Sequence, residues 1–161
     1  MLTLVGHGYV GHHVARELRM RNVTFAWAHH ADRITPSGPI INAAGYTGHP
    51  NVDACEHHKD ETMEGNVFWP IRLEEIAASY PVVHITSGCI YQGTRSPGGW
   101  TEEDEPNFAD SHYSMTKALA QKALAPVMGK SYWLRIRMPF GVLNHPKNLL
   151  TKLTNYSKLI D

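Results

Sequence analysis

Short apolar runs alternate along the chain with segments in which apolar residues recur at helical spacing. Five runs predict β-strands, at 2–5, 23–28, 39–44, 82–85 and 132–137. The helical spacing predicts helices over 9–20, most of 51–80 with a break near Gly65, 111–128 and 146–159. Strands that alternate with helices indicate parallel βαβ units, so the sequence predicts a Rossmann-like α/β fold of three layers, formed as a single domain over 1–161.

The connection between the second and third predicted strands is short. Residues 29–38 span at most about 33 Å when fully extended, which crosses a sheet but leaves no room for a helix. We therefore expect a bare loop here, and a thinly covered sheet face beside the second strand.

Composition narrows the function classes. Fifteen basic residues balance fifteen acidic ones without a basic stripe, which argues against nucleic acid, and no apolar run is long enough to span a membrane. The start of the chain has no basic segment typical of a signal peptide, and Cys55 and Cys89 do not suggest a disulfide framework, so we expect a cytoplasmic protein. The eleven histidines are scattered or directly adjacent, which does not predict a metal site.

A glycine-rich turn follows the first predicted strand. Gly6-His7-Gly8-Tyr9-Val10-Gly11 matches the pattern G-x-G-x-x-G and opens a predicted helix. Glycines permit a tight turn and close approach of a pyrophosphate, while the helix start offers free N–H groups. We therefore predict that Gly6, Gly8, Tyr9, Val10 and Gly11 bind a dinucleotide; a tight turn without a ligand is the alternative.

Two further segments bear on the cofactor. His29 and His30, rather than an acid that would bind an adenosine ribose, directly follow the second strand, and Arg33, which could bind a 2′-phosphate, stands nearby. This favours NADPH over NADH, although Arg33 could equally be a solvated loop residue. After the third strand, the small residues Asn42, Ala43, Ala44 and Gly45 would let the cofactor approach the backbone, or would simply pack tightly.

Candidate proton-transfer groups lie later in the chain. Tyr113 and Lys117 are four residues apart, so they share one face of a helix, where the ammonium is expected to lower the phenol's pKa and make it a general acid/base. Ser87 ends the fourth strand and could bind the same substrate oxygen. The alternatives are an exposed helix pair and a turn serine.

In combination, these motifs resemble the extended short-chain dehydrogenase/reductase superfamily. Four longer segments are similar to the nucleotide-rhamnose synthases within it: NAAGYTGHPNVDACE at 42–56, SGCIY at 87–91, EEDEPNF at 102–108 and RIRMP at 135–139. Those proteins are bifunctional 3,5-epimerase/4-reductases that act on 4-keto-6-deoxyglucose nucleotides. The resemblance implies the same fold, an NADPH cofactor and a nucleotide-sugar substrate.

The resemblance also implies roles for single residues. Tyr113 matches the catalytic tyrosine, Lys117 the lysine that also holds the nicotinamide ribose, and Ser87 the neighbouring serine. Cys89 and Lys152 match the pair used in epimerisation, and Pro139 ends a motif beside the cofactor. Without the resemblance, Cys89 could be a small buried hydrophobe and Lys152 a solvated helix residue.

Three departures from the family pattern stand out. The glycine turn is one residue tighter, no helix is predicted after the second strand, and the chain lacks the usual C-terminal substrate subdomain, which supplies much of the sugar-nucleotide pocket. A homo-oligomer or a partner chain could complete that pocket. The alternatives are a reductase without epimerase activity and a non-catalytic dinucleotide-binding subunit.

Overall fold

A parallel β-sheet organises the chain, seen in a computed structural model that describes residues 1–30, 33–95, 97–127 and 131–155. Its five strands lie in the order β2-β1-β3-β4-β5, and each neighbouring pair is parallel. The strands are β1 Leu2–Val5, β2 Phe25–Ala28, β3 Ile40–Asn42, β4 Val82–Ser87 and β5 Ser131–Ile136. The predicted α/β fold is therefore confirmed.

Helices fill most of the connections. The α-helices are α1 Tyr9–Met20, α2 Lys59–Met63, α3 Trp69–Ala77, α4 His112–Leu124 and α5 Leu149–Asn155. Shorter 3₁₀ turns cover Val52–Glu56, Gly88–Ile90 and Ala125–Val127. The break expected near Gly65 is a π-helical segment, Glu64–Phe68, that joins α2 to α3. The last helix begins later than expected, and the ends of the last two predicted helices, at 128 and 156–159, lie outside the described residues.

The connection from β2 to β3 has no helix in its described residues, 29–30 and 33–39, as its length predicted. All four residues of β2 are only partly buried, so the thin cover over this edge of the sheet is confirmed. The predicted third strand extends only over Ile40–Asn42, because the backbone after Asn42 leaves the sheet to form a turn.

The core lies between the central strands and α3. Val5, Ile40 and Val82 are fully buried on neighbouring strands, and they pack against Trp69, Leu73 and Ala77. These last three residues recur every four positions, so they lie along one face of α3. Packing of this apolar stripe fixes β1, β3 and β4 relative to one another.

The strand order creates a crevice. From β1 the chain moves outward to β2, and it then crosses back to place β3 on the other side of β1. In open parallel sheets, ligands bind where the chain reverses direction in this way, beyond the carboxyl ends of the strands. The glycine-rich turn after β1 and the turn after β3 both lie at this position.

The described ranges contain neither a membrane-spanning helix nor a metal-binding cluster. None of the helices found there is long and apolar enough to cross a bilayer. Nor do the described His, Cys, Asp and Glu side chains gather into a group of three or more that could hold a metal ion.

Candidate active site

The glycine-rich turn is packed too tightly for side chains at two of its three glycines. Gly6 has a φ of +105°, and a Cβ there would lie 2.6 Å from the Ala44 nitrogen. A Cβ on Gly11 would lie 2.1 Å from the Gly6 carbonyl oxygen. Gly8 differs, because its Cβ position faces open space and the residue lines a cavity. Gly6 and Gly11 therefore shape the turn, while Gly8 presents bare backbone at the start of α1.

A buried hydrogen-bond chain holds the turn after β3. The Asn42 side-chain oxygen accepts from the Ala44 backbone N–H and from Trp69 Nε1, both at 3.2 Å. Its Nδ2 must then donate to His84 Nδ1, 3.1 Å away, and His84 Nε2 faces Glu74 Oε1 at 2.7 Å. Asn42 is thus directed into the protein, and it does not line the cavity as a cofactor ligand would.

A cavity of about 440 Å³ opens at the crevice. Residues from the glycine-rich turn, the turn after β3, the end of β4, α4 and α5 contribute to its wall. The predicted site residues that line it are Gly8, Tyr9, Val10, Ala43, Ala44, Gly45, Ser87, Cys89, Tyr113, Lys117, Pro139 and Lys152. Folding therefore brings all five predicted catalytic side chains to one cavity.

Four predicted cofactor residues do not line this cavity. Gly6 and Gly11 are packed on the inner side of the glycine-rich turn, and the Asn42 side chain is hydrogen-bonded to His84 in the protein interior. Arg33 is exposed on the β2–β3 connection. Its contact with a 2′-phosphate stays a prediction.

Tyr113 lies at the inner end of the cavity. Its ring is 9% exposed, and its hydroxyl is hydrogen-bonded to the Ser87 side chain, whose oxygen also accepts from the Cys89 N–H at 3.1 Å. Burial raises the pKa of Tyr113 to about 12, against the smaller lowering effect of the Ser87 bond. The expectation that a neighbouring charge lowers this pKa is therefore wrong: desolvation is the largest effect, and the phenol stays protonated at neutral pH.

Lys117 is the buried cation of the site. It is 7% exposed, and its Nζ lies 6.0 Å from the centre of the Tyr113 ring. Burial lowers its pKa to about 8. Gly45 makes room for this ammonium, since a Cβ at Gly45 would lie 2.8 Å from the Lys117 Nζ.

Lys117 should make stability depend on pH. Its folded pKa of about 8 is below the ordinary 10.5, so the unfolded chain binds more protons between those values and stability rises with pH there. We expect wild type to gain about 2–3 kcal/mol relative to Lys117→Met from about pH 7 to about pH 10. Urea unfolding of both proteins across this range measures the difference, and equal slopes would contradict it.

Cys89 and Lys152 occupy the cavity wall on separate elements. Cys89 is half-buried in the 3₁₀ turn that follows β4, and Lys152 is half-buried in α5. Cys55 and Cys89 are both free thiols. Cys55, by contrast, is fully buried, and burial raises the pKa of its thiol.

Sequence reasoning missed several wall residues. Thr47 lies within the segment 42–56 that resembles the nucleotide-rhamnose synthases, and His145 and Lys147 lie shortly before Lys152. His145 stacks on Tyr9 with ring centres 5.0 Å apart. The Lys147 ammonium donates to Thr47 Oγ1. The position of Lys147, five residues before Lys152, was the available signal.

The sequence matches the RmlD substrate binding domain family over residues 4–159. The chain belongs to this family. The match covers nearly the whole chain, from β1 to beyond α5, so it includes every predicted site residue.

Relatives of known activity agree with this membership. A trifunctional UDP-glucose 4,6-dehydratase/UDP-4-keto-6-deoxy-D-glucose 3,5-epimerase/UDP-4-keto-L-rhamnose-reductase of Arabidopsis thaliana is 41% identical over 130 residues, which is 76% of this chain and 19% of that protein. A bifunctional dTDP-4-dehydrorhamnose 3,5-epimerase/dTDP-4-dehydrorhamnose reductase of the same plant is 41% identical over 134 residues, 76% of this chain and 43% of that protein. The chain thus spans less than half the length of either plant relative.

A solved structure extends the likeness to the fold. The UDP-rhamnose synthase of Acanthamoeba polyphaga mimivirus superposes with a TM-score of 0.85 at 25% identity, over 99% of this chain and 63% of that one. The predicted resemblance to nucleotide-rhamnose synthases is confirmed by these matches.

Proposed function

We propose that the chain is an NADPH-dependent 3,5-epimerase/4-reductase acting on a 4-keto-6-deoxyhexose nucleotide in rhamnose-type deoxysugar synthesis. The observation that carries the proposal is the shared cavity: Ser87, Cys89, Tyr113, Lys117 and Lys152 line it together with the glycine-rich turn. The plant relatives are described as both epimerases and reductases. A reduction needs a hydride donor, and the family fold supplies the crevice in which a dinucleotide binds.

The cavity fits a nicotinamide dinucleotide. Gly8 offers bare backbone at the first turn of α1, where free N–H groups favour a pyrophosphate. The buried hydroxyls of Tyr9 and Thr86, two wall residues, have no hydrogen-bond partner within the described part of the chain. When bound, the reduced nicotinamide supplies a hydride. The choice of NADPH over NADH rests on Arg33 and on His29 and His30, which stand directly after β2 in place of an acid.

Reduction of the ketone at carbon four requires a proton donor for the developing alkoxide. Tyr113 suits this role because its phenol is protonated at neutral pH and its hydroxyl is hydrogen-bonded to Ser87 inside the cavity. Lys117 places a positive charge next to the ring, and the burial of this ammonium strengthens the stabilisation that it can give to negative charge. Ser87 can share the substrate oxygen with Tyr113 because its own oxygen is fixed by the Cys89 N–H.

Epimerisation requires removal and return of protons at carbons three and five, which the ketone acidifies. Cys89 and Lys152 lie on different wall elements, so they can approach the sugar ring from separate directions. We propose that one group removes the proton and the other returns it, while Tyr113 and Ser87 stabilise the enolate oxygen.

Serine at position 89 should separate the two activities. We expect Cys89→Ser to reduce deuterium uptake at carbons three and five by about a hundredfold, because serine lacks an ionisable thiol. Reduction of an already epimerised substrate should continue, since Tyr113 and Lys117 are unchanged. NMR of the recovered sugar nucleotide in heavy water measures the uptake, and Cys55→Ser is the matched control because Cys55 does not line the cavity. Undiminished uptake in Cys89→Ser would contradict the assignment.

The overall proposal is tested by incubation of the chain with NADPH and UDP-4-keto-6-deoxyglucose, followed by the dTDP substrate. The expected result is NADPH oxidation with formation of the deoxysugar nucleotide. Binding of NADPH without turnover by either substrate would favour a non-catalytic dinucleotide-binding subunit. Closure of the substrate side of the cavity by a second copy or a partner chain is also a proposal, and sedimentation with and without substrate tests it.

A further inference from the structure

The cavity has an excess of positive charge that the proposed proton transfers do not explain. Its wall carries Lys117, Arg137, Lys147 and Lys152, and none of the described wall residues is an Asp or a Glu. No ion pair in the described part of the chain involves any of these four cations. Half-buried or buried cations without a carboxylate are costly, so an anionic ligand would stabilise this wall.

Lys147 has no role in the proposed proton transfers, and its position in the cavity wall is fixed by hydrogen bonds. Its ammonium is half-buried and donates to Thr47 Oγ1 and to the Gly48 carbonyl oxygen, 3.4 Å away. An ammonium has three hydrogens, so one remains for a ligand. Both partners are neutral oxygens, so they hold the ammonium in place without neutralising its charge.

The backbone beneath this side chain is fixed before any ligand binds. The Lys147 N–H donates to His145 Nδ1 at 3.0 Å. The buried Asn148 side chain donates to the carbonyls of Gly141 and Leu143, both at 2.7 Å. Such preorganisation lowers the entropy lost when an anion is bound.

We propose that Lys147 binds the diphosphate of the sugar nucleotide, an inference whose choice of ligand rests on the proposed function. Lys147 and Lys152 lie close enough to repel each other, and both line the cavity with Cys89. The diphosphate is attached to the first carbon of the sugar, so it must lie next to the groups that handle the ring. The cofactor's own diphosphate has a separate place at the glycine-rich turn, against Gly8.

Calorimetric titration of the chain with UDP and with UMP tests this inference without turnover. We expect Lys147→Gln to weaken UDP binding about tenfold, because a charge-assisted bond to the second phosphate is lost. UMP binding should change by less than about twofold. Lys147→Arg should retain most of the UDP affinity, and the matched control Lys122→Gln, which removes an exposed charge on α4, should have no effect.

If Lys147 served only to hold its own segment against Thr47 and Gly48, the variants would affect UDP affinity differently. Thr47→Val removes the neutral partner but keeps the ammonium, so we expect a smaller loss of UDP affinity than in Lys147→Gln. Equal losses of UDP affinity in these two variants would overturn the inference. So would a Lys147→Gln variant that binds UDP as wild type does, or one in which NADPH binding is weakened in place of UDP binding. Absence of UDP binding by wild type would also overturn it. Turnover that does not depend on Lys147 would refute the inference alone, whereas Lys147-dependent UDP binding without turnover would refute only the proposed function.

Discussion

Phenylalanine in place of Tyr113 is expected to slow reduction of the 4-keto sugar nucleotide by about 10²–10⁴-fold. The ring fits the same space, but the hydroxyl that donates the proton is gone. NADPH affinity should be nearly unchanged, because Gly8 and the start of α1 are not affected. The turnover number and the dissociation constant of NADPH, measured side by side, separate these effects.

The matched control for Tyr113→Phe is Tyr132→Phe. Tyr132 is 62% exposed on β5 and does not line the cavity, so loss of its hydroxyl should leave turnover intact. Ser87 keeps its bond from the Cys89 N–H in Tyr113→Phe, so the fold is not expected to suffer. A variant that lacks the Tyr113 hydroxyl and still turns over at the wild-type rate would refute its role as the proton donor.

Alanine in place of Gly11 is expected to damage both the fold and the cofactor site. Its Cβ would lie 2.1 Å from the Gly6 carbonyl oxygen, so backbone must move against backbone. We expect a loss of about 1–3 kcal/mol in the free energy of unfolding. A shift of the turn by about 1 Å should also weaken NADPH binding or turnover about a hundredfold.

Gly8→Ala separates the effect on stability from the effect on NADPH binding. No atom lies within 4 Å of its Cβ position, so stability should stay within about 0.5 kcal/mol of wild type. The added methyl group still covers the backbone that a pyrophosphate would approach, so NADPH affinity should fall. Thermal unfolding and NADPH fluorescence titration measure both quantities. Wild-type NADPH affinity in Gly8→Ala would contradict a cofactor site at this turn.

The fold could be predicted from sequence because its periodic signals are local. The apolar runs of β1 and β4 and the helical stripe of α1 each specify their own element. The absence of a helix between β2 and β3 could be predicted from the number of residues in that connection alone. The shorter β3 did not, because the turn after Asn42 is held by bonds to Trp69 and His84, which are distant in sequence.

The positions of the site residues could be predicted where a sequence motif specifies them. Their pKa values and side-chain directions could not, because these depend on burial in the folded chain. The spacing of Tyr113 and Lys117 placed both on the cavity side of α4. It could not show that Tyr113 would be almost fully enclosed, and this enclosure, rather than the nearby charge, sets its pKa. Asn42 was assigned to the cofactor because its motif lies at the crevice, but its side chain turns inward.

Lys147 illustrates the limit of reading short motifs. It differs from a solvated lysine only through its contacts with Thr47 and Gly48, which are about a hundred residues earlier in the chain. Spacing along the sequence carries no information about such a contact. The charge balance of the cavity becomes apparent only when the wall is assembled from separate segments.

Transfer of deuterium from carbon-four-labelled NADPH to the substrate would report the hydride step in this cavity. With a 4-keto-6-deoxyglucose nucleotide, we expect deuterium at carbon four of the product in wild type and a loss of transfer in Tyr113→Phe. Mass spectrometry of the sugar nucleotide reads out both results. A wild-type product without the label, or no product while NADPH is bound, would contradict the proposal that this cavity reduces a keto sugar.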